Sequence, residues 1–194
     1  MKLSLIGIVA LLIFIIMART YETSFGNMLD EWAHNIFGGN EFLEAFHVIG
    51  NTEFIFIITL TFAVFLILLK KAWKSALFSI LTVAIGDGLN RWLKGVFERP
   101  RPPVIDQLTS YSFPSGHSML STIYLLVFAF IINQHFFSGQ SKKTLYVIAF
   151  IVALLIALSR VAGERHYFTD IIAGMSLGVA FVITSVAVYK KLVR

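Results

Sequence analysis

Six apolar runs alternate with short polar stretches along the chain: Leu3–Ala18, Phe54–Leu69, Trp73–Leu93, Ser118–Ile132, Leu145–Leu158 and Ile171–Tyr189. A helix needs roughly 20 apolar residues to cross a hydrocarbon core. The shorter runs approach that length with flanking polar residues or local thinning of the bilayer. The pattern predicts six transmembrane helices in a bundle. The connection between the first two runs, about residues 20–52, is longer. There Phe25, Met28, Leu29, Trp32, Ile36 and Phe37 recur near helical spacing among acids, Gly38-Gly39-Asn40 interrupts, and Phe42, Leu43, Phe46 and Ile49 resume. This reads as two short amphipathic helices, either lying on the membrane surface or packed on the bundle as a cap. The first run follows Met1-Lys2 as a signal peptide would. The residues behind it, Met17-Ala18-Arg19-Thr20-Tyr21, lack a small-x-small cleavage site, so it reads as an uncleaved helix.

Composition narrows the class. The 194 residues are 57% hydrophobic and only 14% charged, with a mean hydropathy of +0.80. Soluble domains have about 45–50% apolar and about 25% charged residues. A water-soluble globule is therefore excluded, and the expected organisation is a single all-α integral membrane domain over residues 1–194. The chain has no Cys, which removes thiol nucleophiles, disulfide scaffolds and cysteine-ligated metals. A net charge of +5 would suggest nucleic acid in a soluble protein; here it first reflects topology, and no nucleic-acid partner is expected. Lys2, Lys70, Lys71, Lys74, Lys142, Lys143, Lys190, Lys191 and Arg194 fall on one side with no acid among them. All 11 acids, Asp106 included, fall with the other 7 basic residues on the opposite side. Basic residues mark the cytoplasmic ends of spans. Both termini are thus expected in the cytoplasm and the cap outside.

Three segments on that outer side carry polar groups that need a reason to sit beside lipid. Lys94-Gly95-Val96-Phe97-Glu98-Arg99-Pro100-Arg101-Pro102-Pro103 places several cations where the topology disfavours them; an outer anion or headgroup contact would explain them. Phe113-Pro114-Ser115-Gly116-His117-Ser118 opens the fourth run, and a Ser and a Gly at a helix start offer free N–H groups to an anion. In Ser159-Arg160-Val161-Ala162-Gly163-Glu164-Arg165-His166-Tyr167-Phe168-Thr169-Asp170, His166 and Asp170 are four apart. On a helix that starts before His166 they would share a face, and the carboxylate would fix the imidazole tautomer. Clustered ionisable residues at membrane depth point to function, and cations, a nucleophile and an acid are what phosphoryl transfer needs. Arg99 and Arg165 are secondary candidates for attracting headgroups. His34, His47 and His135 have no sequence neighbour to engage them, and Asp87 is expected to pair with Arg91.

In order and spacing, Lys94 with Arg101-Pro102, then Pro114-Ser115-Gly116-His117, then Ser159-Arg160 with His166 and Asp170, resemble the tripartite signature of the type-2 phosphatidic acid phosphatase superfamily. The resemblance implies a helical bundle and a metal-independent phosphatase with no cofactor. It implies that His166 attacks phosphorus and forms a phosphohistidine, that Asp170 orients His166, and that His117 protonates the leaving oxygen and then activates water. Lys94, Arg101, Ser115, Gly116 and Arg160 would hold the phosphate oxygens. The implied substrate is a membrane lipid phosphate, with phosphatidylglycerol phosphate and undecaprenyl diphosphate foremost and phosphatidic acid-like lipids next. The implied location is the outer face of a bacterial-type plasma membrane. A lipid or anion transporter, in which the cations bind and nothing reacts, is the rival reading; transporters often have repeated halves, and no internal repeat is evident. A haloperoxidase is a third reading, disfavoured by six lipid-facing spans. The motifs carry no signal of oligomeric state.

Overall fold

The computed structural model describes residues 2–104, 109–136 and 141–193. Asp106 and Arg194, and the side chains of Lys2 and Lys142, lie outside the described set. All regular structure within it is helical: α1 (Lys2–Thr20), α2 (Ser24–Phe37), α3 (Glu41–Glu44), a 3-10 turn (Ala45–Gly50), α4 (Thr52–Lys70), α5 (Trp73–Phe97), α6 (Gly116–His135), α7 (Ser141–Ala162) and α8 (Phe168–Val193). Each of the six apolar runs falls within one of these helices. Among the described residues four segments are long and apolar enough to cross a membrane: Thr52–Lys70, Gly116–His135, Lys143–Ala162 and Phe168–Val193. The pair Ser4–Thr20 and Ser24–Phe37, bent by 102°, makes a fifth if taken as one span. This is fewer than the six spans that the hydrophobic pattern predicts. The physical difference lies partly in α5, whose C-terminal half carries Asp87, Asn90, Arg91 and Lys94.

Helix α6 is the central element and packs against α4, α5, α7 and α8. Its Met119, Leu120, Ile123, Val127 and Ile131 are fully buried. Around it α1, α4, α5 and α7 turn large apolar side chains outward, among them Leu5, Ile57, Leu68, Leu81 and Ile151. Such a belt is costly in water and natural against lipid, where helices must satisfy their own backbones.

Two glycines set the approach that matters for the site. A Cβ at Gly174 would lie 2.6 Å from Ser115 O, and one at Gly178 would lie 2.9 Å from Met119 O. This G-x-x-x-G face of α8 lets the two backbones close up, so the start of α6 meets the start of α8. Ser115 N donates to Asp170 O at 3.1 Å across that contact.

Between α1 and α4 the chain lies over the ends of α7 and α8. Thr23 caps α2, its hydroxyl accepting from Gly26 N at 3.4 Å. Helix α2 buries Gly26, Asp30 and Ala33 and exposes Phe25, Met28, Trp32 and Ile36 on its other side. Gly39, at φ +70°, breaks the helix and donates to Ala162 O at 2.9 Å, which ties this segment to the end of α7. The second expected helix is one α turn followed by the 3-10 turn.

Candidate active site

Helix α7 ends at Ala162, and Arg165 N and His166 N both donate back to Arg160 O, at 2.9 and 3.1 Å. The chain then enters α8 at Phe168, so His166 stands outside that helix. The expected shared helical face therefore does not exist. Asp170 instead sits in the first turn of α8 and folds back: Oδ2 accepts from Tyr167 N at 3.0 Å and lies 3.2 Å from His166 Nδ1. An acid three residues into a helix that reaches back to the capping N–H is a capping arrangement; here the same oxygen holds the imidazole.

The other ring nitrogen, Nε2, lies 3.1 Å from Arg101 Nη1. A guanidinium can only donate, so Nε2 is the acceptor and the proton is on Nδ1, facing Asp170. His166 thus presents a bare nitrogen among cations. Burial, followed by the charges of Lys94, Arg101, Arg160 and Arg99, holds its basicity well below the usual histidine range. The ring stays neutral.

The first motif reaches the site through its loop. Arg101 also donates to Arg165 O at 2.7 Å and to Ser110 O at 2.7 Å. Lys94 Nζ donates to Tyr111 O and, at 3.3 Å, to Ser112 O. Phe113 is fully buried and stacks on Tyr21 at 4.8 Å, with Phe97 edge-on at 4.8 Å, which anchors the loop that carries the second motif. The Phe113-Pro114 bond is cis. Ser115 then caps α6; its hydroxyl accepts from Ser118 N at 3.4 Å and from the Ser118 hydroxyl at 3.0 Å. A Cβ at Gly116 would come within 3.0 Å of Asn90 Oδ1, while Asn90 Nδ2 donates to Pro114 O at 3.2 Å.

His117 begins the first turn of α6, and its ring interacts electrostatically with Arg160, His166 and Arg101. Arg160 is buried, and its Nε has no hydrogen-bond partner among the described residues. An unmet buried donor costs about 1–3 kcal/mol, which an anion's oxygen would remove. The eight sequence-predicted site residues are thereby drawn into one region from three chain segments. A cavity of about 430 Å³ lies beside His166, lined also by Asp30, Glu31, Pro102, Glu164 and Tyr167 among others. Among the described residues no group of three or more His, Cys, Asp or Glu is placed to hold a metal ion.

One residue needs correction. Arg99 does not reach out to headgroups: it is 6% exposed and donates to Asp170 Oδ1 at 2.6 Å, to Asp30 Oδ2 at 2.8 Å and to the Thr169 hydroxyl at 2.7 Å. Its guanidinium stacks on Tyr167 at 4.0 Å and Tyr21 at 4.8 Å. Burial alone would lower its pKa, but Asp170 and Asp30 outweigh burial and raise it. Arg165 contributes a carbonyl to Arg101. Asp30, Thr169, Asn51 and Asn90 are further polar neighbours that sequence reasoning did not single out. Asp87 and Arg91 pair at 2.9 Å as expected, away from these motifs. His47 and His135 do find partners, the Glu44 carbonyl at 2.8 Å and the Ser75 hydroxyl at 2.9 Å. His34 lies 3.8 Å from Glu164.

A sequence model described as the PAP2 superfamily matches residues 72–194, more than half of the chain and all three motifs. The chain belongs to the PAP2 superfamily. Among PAP2-related proteins it is 33% identical over 143 residues to phosphatidylglycerophosphatase B of Bacillus subtilis, covering 72% of this chain and 70% of the relative. It is 37% identical over 86 residues to a PA-phosphatase related-family protein of Dictyostelium discoideum, covering 42% of this chain and 25% of the relative. The fold matches the crystal structure of a transmembrane PAP2-type phosphatidylglycerolphosphate phosphatase from Bacillus subtilis, with a TM-score of 0.88, 28% identity and 96% of each chain covered. The transmembrane, all-helical character expected from the hydrophobic pattern is thus that of the family. The family match begins within the linker before α5, so α1 to α4, with Asp30 and Asn51, stand ahead of it.

Proposed function

We propose that this PAP2 protein is a lipid phosphate phosphatase that cleaves phosphatidylglycerol phosphate through a phosphohistidine on His166. The observation that carries the reading is the bare Nε2 of His166, held by Asp170 behind and faced by Arg101 in front. Nε2 attacks phosphorus, and the N–P bond forms as the P–O bond to the lipid breaks. His117 gives the leaving oxygen its proton. Water then attacks phosphorus, returns a proton to His117, and the N–P bond breaks to free His166 and phosphate. Lys94, Arg101, Arg160, the Ser115 hydroxyl and the Gly116 N–H stabilise the charge on the phosphoryl oxygens. The names of the Bacillus subtilis relatives support the substrate.

Purified protein in detergent, with chelator present, should release phosphate from phosphatidylglycerol phosphate. The same assay on undecaprenyl diphosphate and phosphatidic acid ranks the other lipids. Binding of all three with no phosphate release would instead favour the transporter reading.

The reading places the reaction in one membrane domain of residues 1–194 with six spans, both termini cytoplasmic and residues 20–52 as an outer cap. The six apolar runs and the uneven distribution of basic residues support it. The exposed Phe25, Met28, Trp32 and Ile36 face of α2 suits a helix resting at the interface. The Cys-free chain allows a direct check. In intact cells, an impermeant thiol reagent should label Thr109→Cys and spare Ser141→Cys. The reverse would put the site on the cytoplasmic side.

A further inference from the structure

Two side chains that precede the family region are linked to the histidines of the site, one directly and one through Arg99 and Asp170. The first is Asp30 of α2, 8% exposed. It accepts from Arg99 Nη2 at 2.8 Å, from Thr169 N at 2.8 Å and from the Thr169 hydroxyl at 3.1 Å. The other arm of the same guanidinium holds Asp170 Oδ1 at 2.6 Å, while Asp170 Oδ2 faces His166 Nδ1. A guanidinium is planar and rigid. The plane of the Asp170 carboxylate, and with it the direction of the His166 ring, is therefore tied to α2.

The second is Asn51, the residue before α4. Its Oδ1 lies 2.9 Å from His117 Nε2. An amide oxygen only accepts, so Nε2 carries a proton there. The neighbouring Gly50 lies against the same ring edge: a Cβ at Gly50 would come within 3.1 Å of His117 Cδ2. The Nε2–Cδ2 edge is thus held by residues 50–51, and Nδ1 is on the opposite edge.

We propose that Asp30 and Asn51 are positioning residues for the reaction: Asp30, through Arg99 and Asp170, aims the Nε2 lone pair of His166, and Asn51 holds His117 so that Nδ1 exchanges protons with the leaving oxygen and with water. This rests on the roles given to the two histidines above. In the cationic ring, Nε2–H stays on Asn51 and Nδ1–H goes to the leaving oxygen. The neutral ring that remains has a bare Nδ1, ready to take a proton from water. Residues 20–52 are then part of the reaction's machinery as well as a cover over the helix ends.

Two experiments test this on the full-length protein in detergent. The charged and titratable groups around His117 are Arg160 of α7, His166 and Arg101 of the flanking loops, and His47 of the 3-10 turn. A carboxylate at position 51 would oppose that set and favour the imidazolium. Asn51→Asp should move the basic limb of the kcat/KM profile up by about one pH unit or more. Asn51→Leu should lower kcat/KM on the lipid substrate by about 10–100-fold and on an aryl phosphate by less than about fivefold, because kcat/KM reports the steps up to departure of the leaving group and the aryl oxygen needs no proton. His117→Ala should show the same contrast between substrates. Profiles of both Asn51 variants that overlay the wild type, with equal losses on the two substrates, would overturn the assignment for Asn51.

For Asp30 the readout is coupling. Asp30→Asn should lower kcat about 10–100-fold alone, and less than about threefold when added to Asp170→Asn. Multiplying losses would mean that Asp30 acts elsewhere. If Asp30→Asn is not recovered folded, Asp30→Glu keeps the charge while displacing the carboxylate, and it should still lower kcat about tenfold at unchanged KM; a wild-type kcat there overturns the role. These outcomes are separable from the parent reading. An inactive His166→Ala protein together with wild-type-like Asn51 profiles and multiplying Asp30 losses would leave the site standing and remove this inference.

Discussion

His166→Ala protein should fold, enter the membrane and release no phosphate, with a loss on the order of 10⁴-fold or more. The proposed mechanism uses this imidazole as its nucleophile. Its Nδ1–H is held by Asp170 at 3.2 Å, and its Nε2 faces Arg101 at 3.1 Å. Removing the ring leaves the cations, the Ser115 cap and the fold contacts in place, because the start of α8 is held independently by Ser115 N on Asp170 O and by Tyr167 N on Asp170 Oδ2. Phosphate release should therefore vanish while the thermal unfolding midpoint in detergent moves little. Residual turnover above a few per cent of wild type would remove His166 as nucleophile.

Arg101→Ala should cost about 10²–10³-fold in kcat, the size of a lost charge donor aimed at a transition state, about 3–4 kcal/mol. Arg101 is fixed by Ser110 O, the Ser110 hydroxyl and Arg165 O before any substrate arrives. It also donates to Tyr111 O at 3.4 Å and to His166 Nε2 at 3.1 Å, the atom to which the proposed reaction brings the phosphoryl group. In the proposed phosphohistidine the guanidinium would lie beside the phosphoryl oxygens. Arg101→Lys keeps the charge and loses the planar fork, and it should recover only part of the rate. A wild-type kcat in Arg101→Ala would take this residue out of the site.

The helices and the three motifs were legible because each is local. An apolar run, a Pro-Ser-Gly-His helix start and a His-to-Asp spacing of four are all written over short stretches of chain. The network behind His166 was not. Arg99 meets Asp30 across 69 residues and Asp170 across 71, and no periodicity or spacing links such positions. Arg99 read as a surface cation because its neighbours Glu98, Pro100 and Arg101 are polar or helix-ending, whereas the fold buries it between two carboxylates and two tyrosine rings. The His166–Asp170 pair was legible and its geometry was not: a sharp return to Arg160 O keeps His166 out of α8, and Asp170 reaches back to it. The α5 helix departs from a plain membrane span for a related reason. Asn90 and Lys94 interrupt its apolar run because they serve the motif loop at Pro114, Tyr111 and Ser112.

The proposed phosphoryl group on His166 can be trapped directly. Detergent-purified protein is mixed with phosphatidylglycerol phosphate carrying a radiolabelled terminal phosphate, quenched in alkali within the turnover time and digested. The label should be stable to base and labile to acid, as a phosphoramidate is, and should lie on the peptide that contains His166. His166→Ala protein should carry none. Brisk phosphate release with no such label under rapid quench, or a label that persists in His166→Ala, would contradict the phosphohistidine.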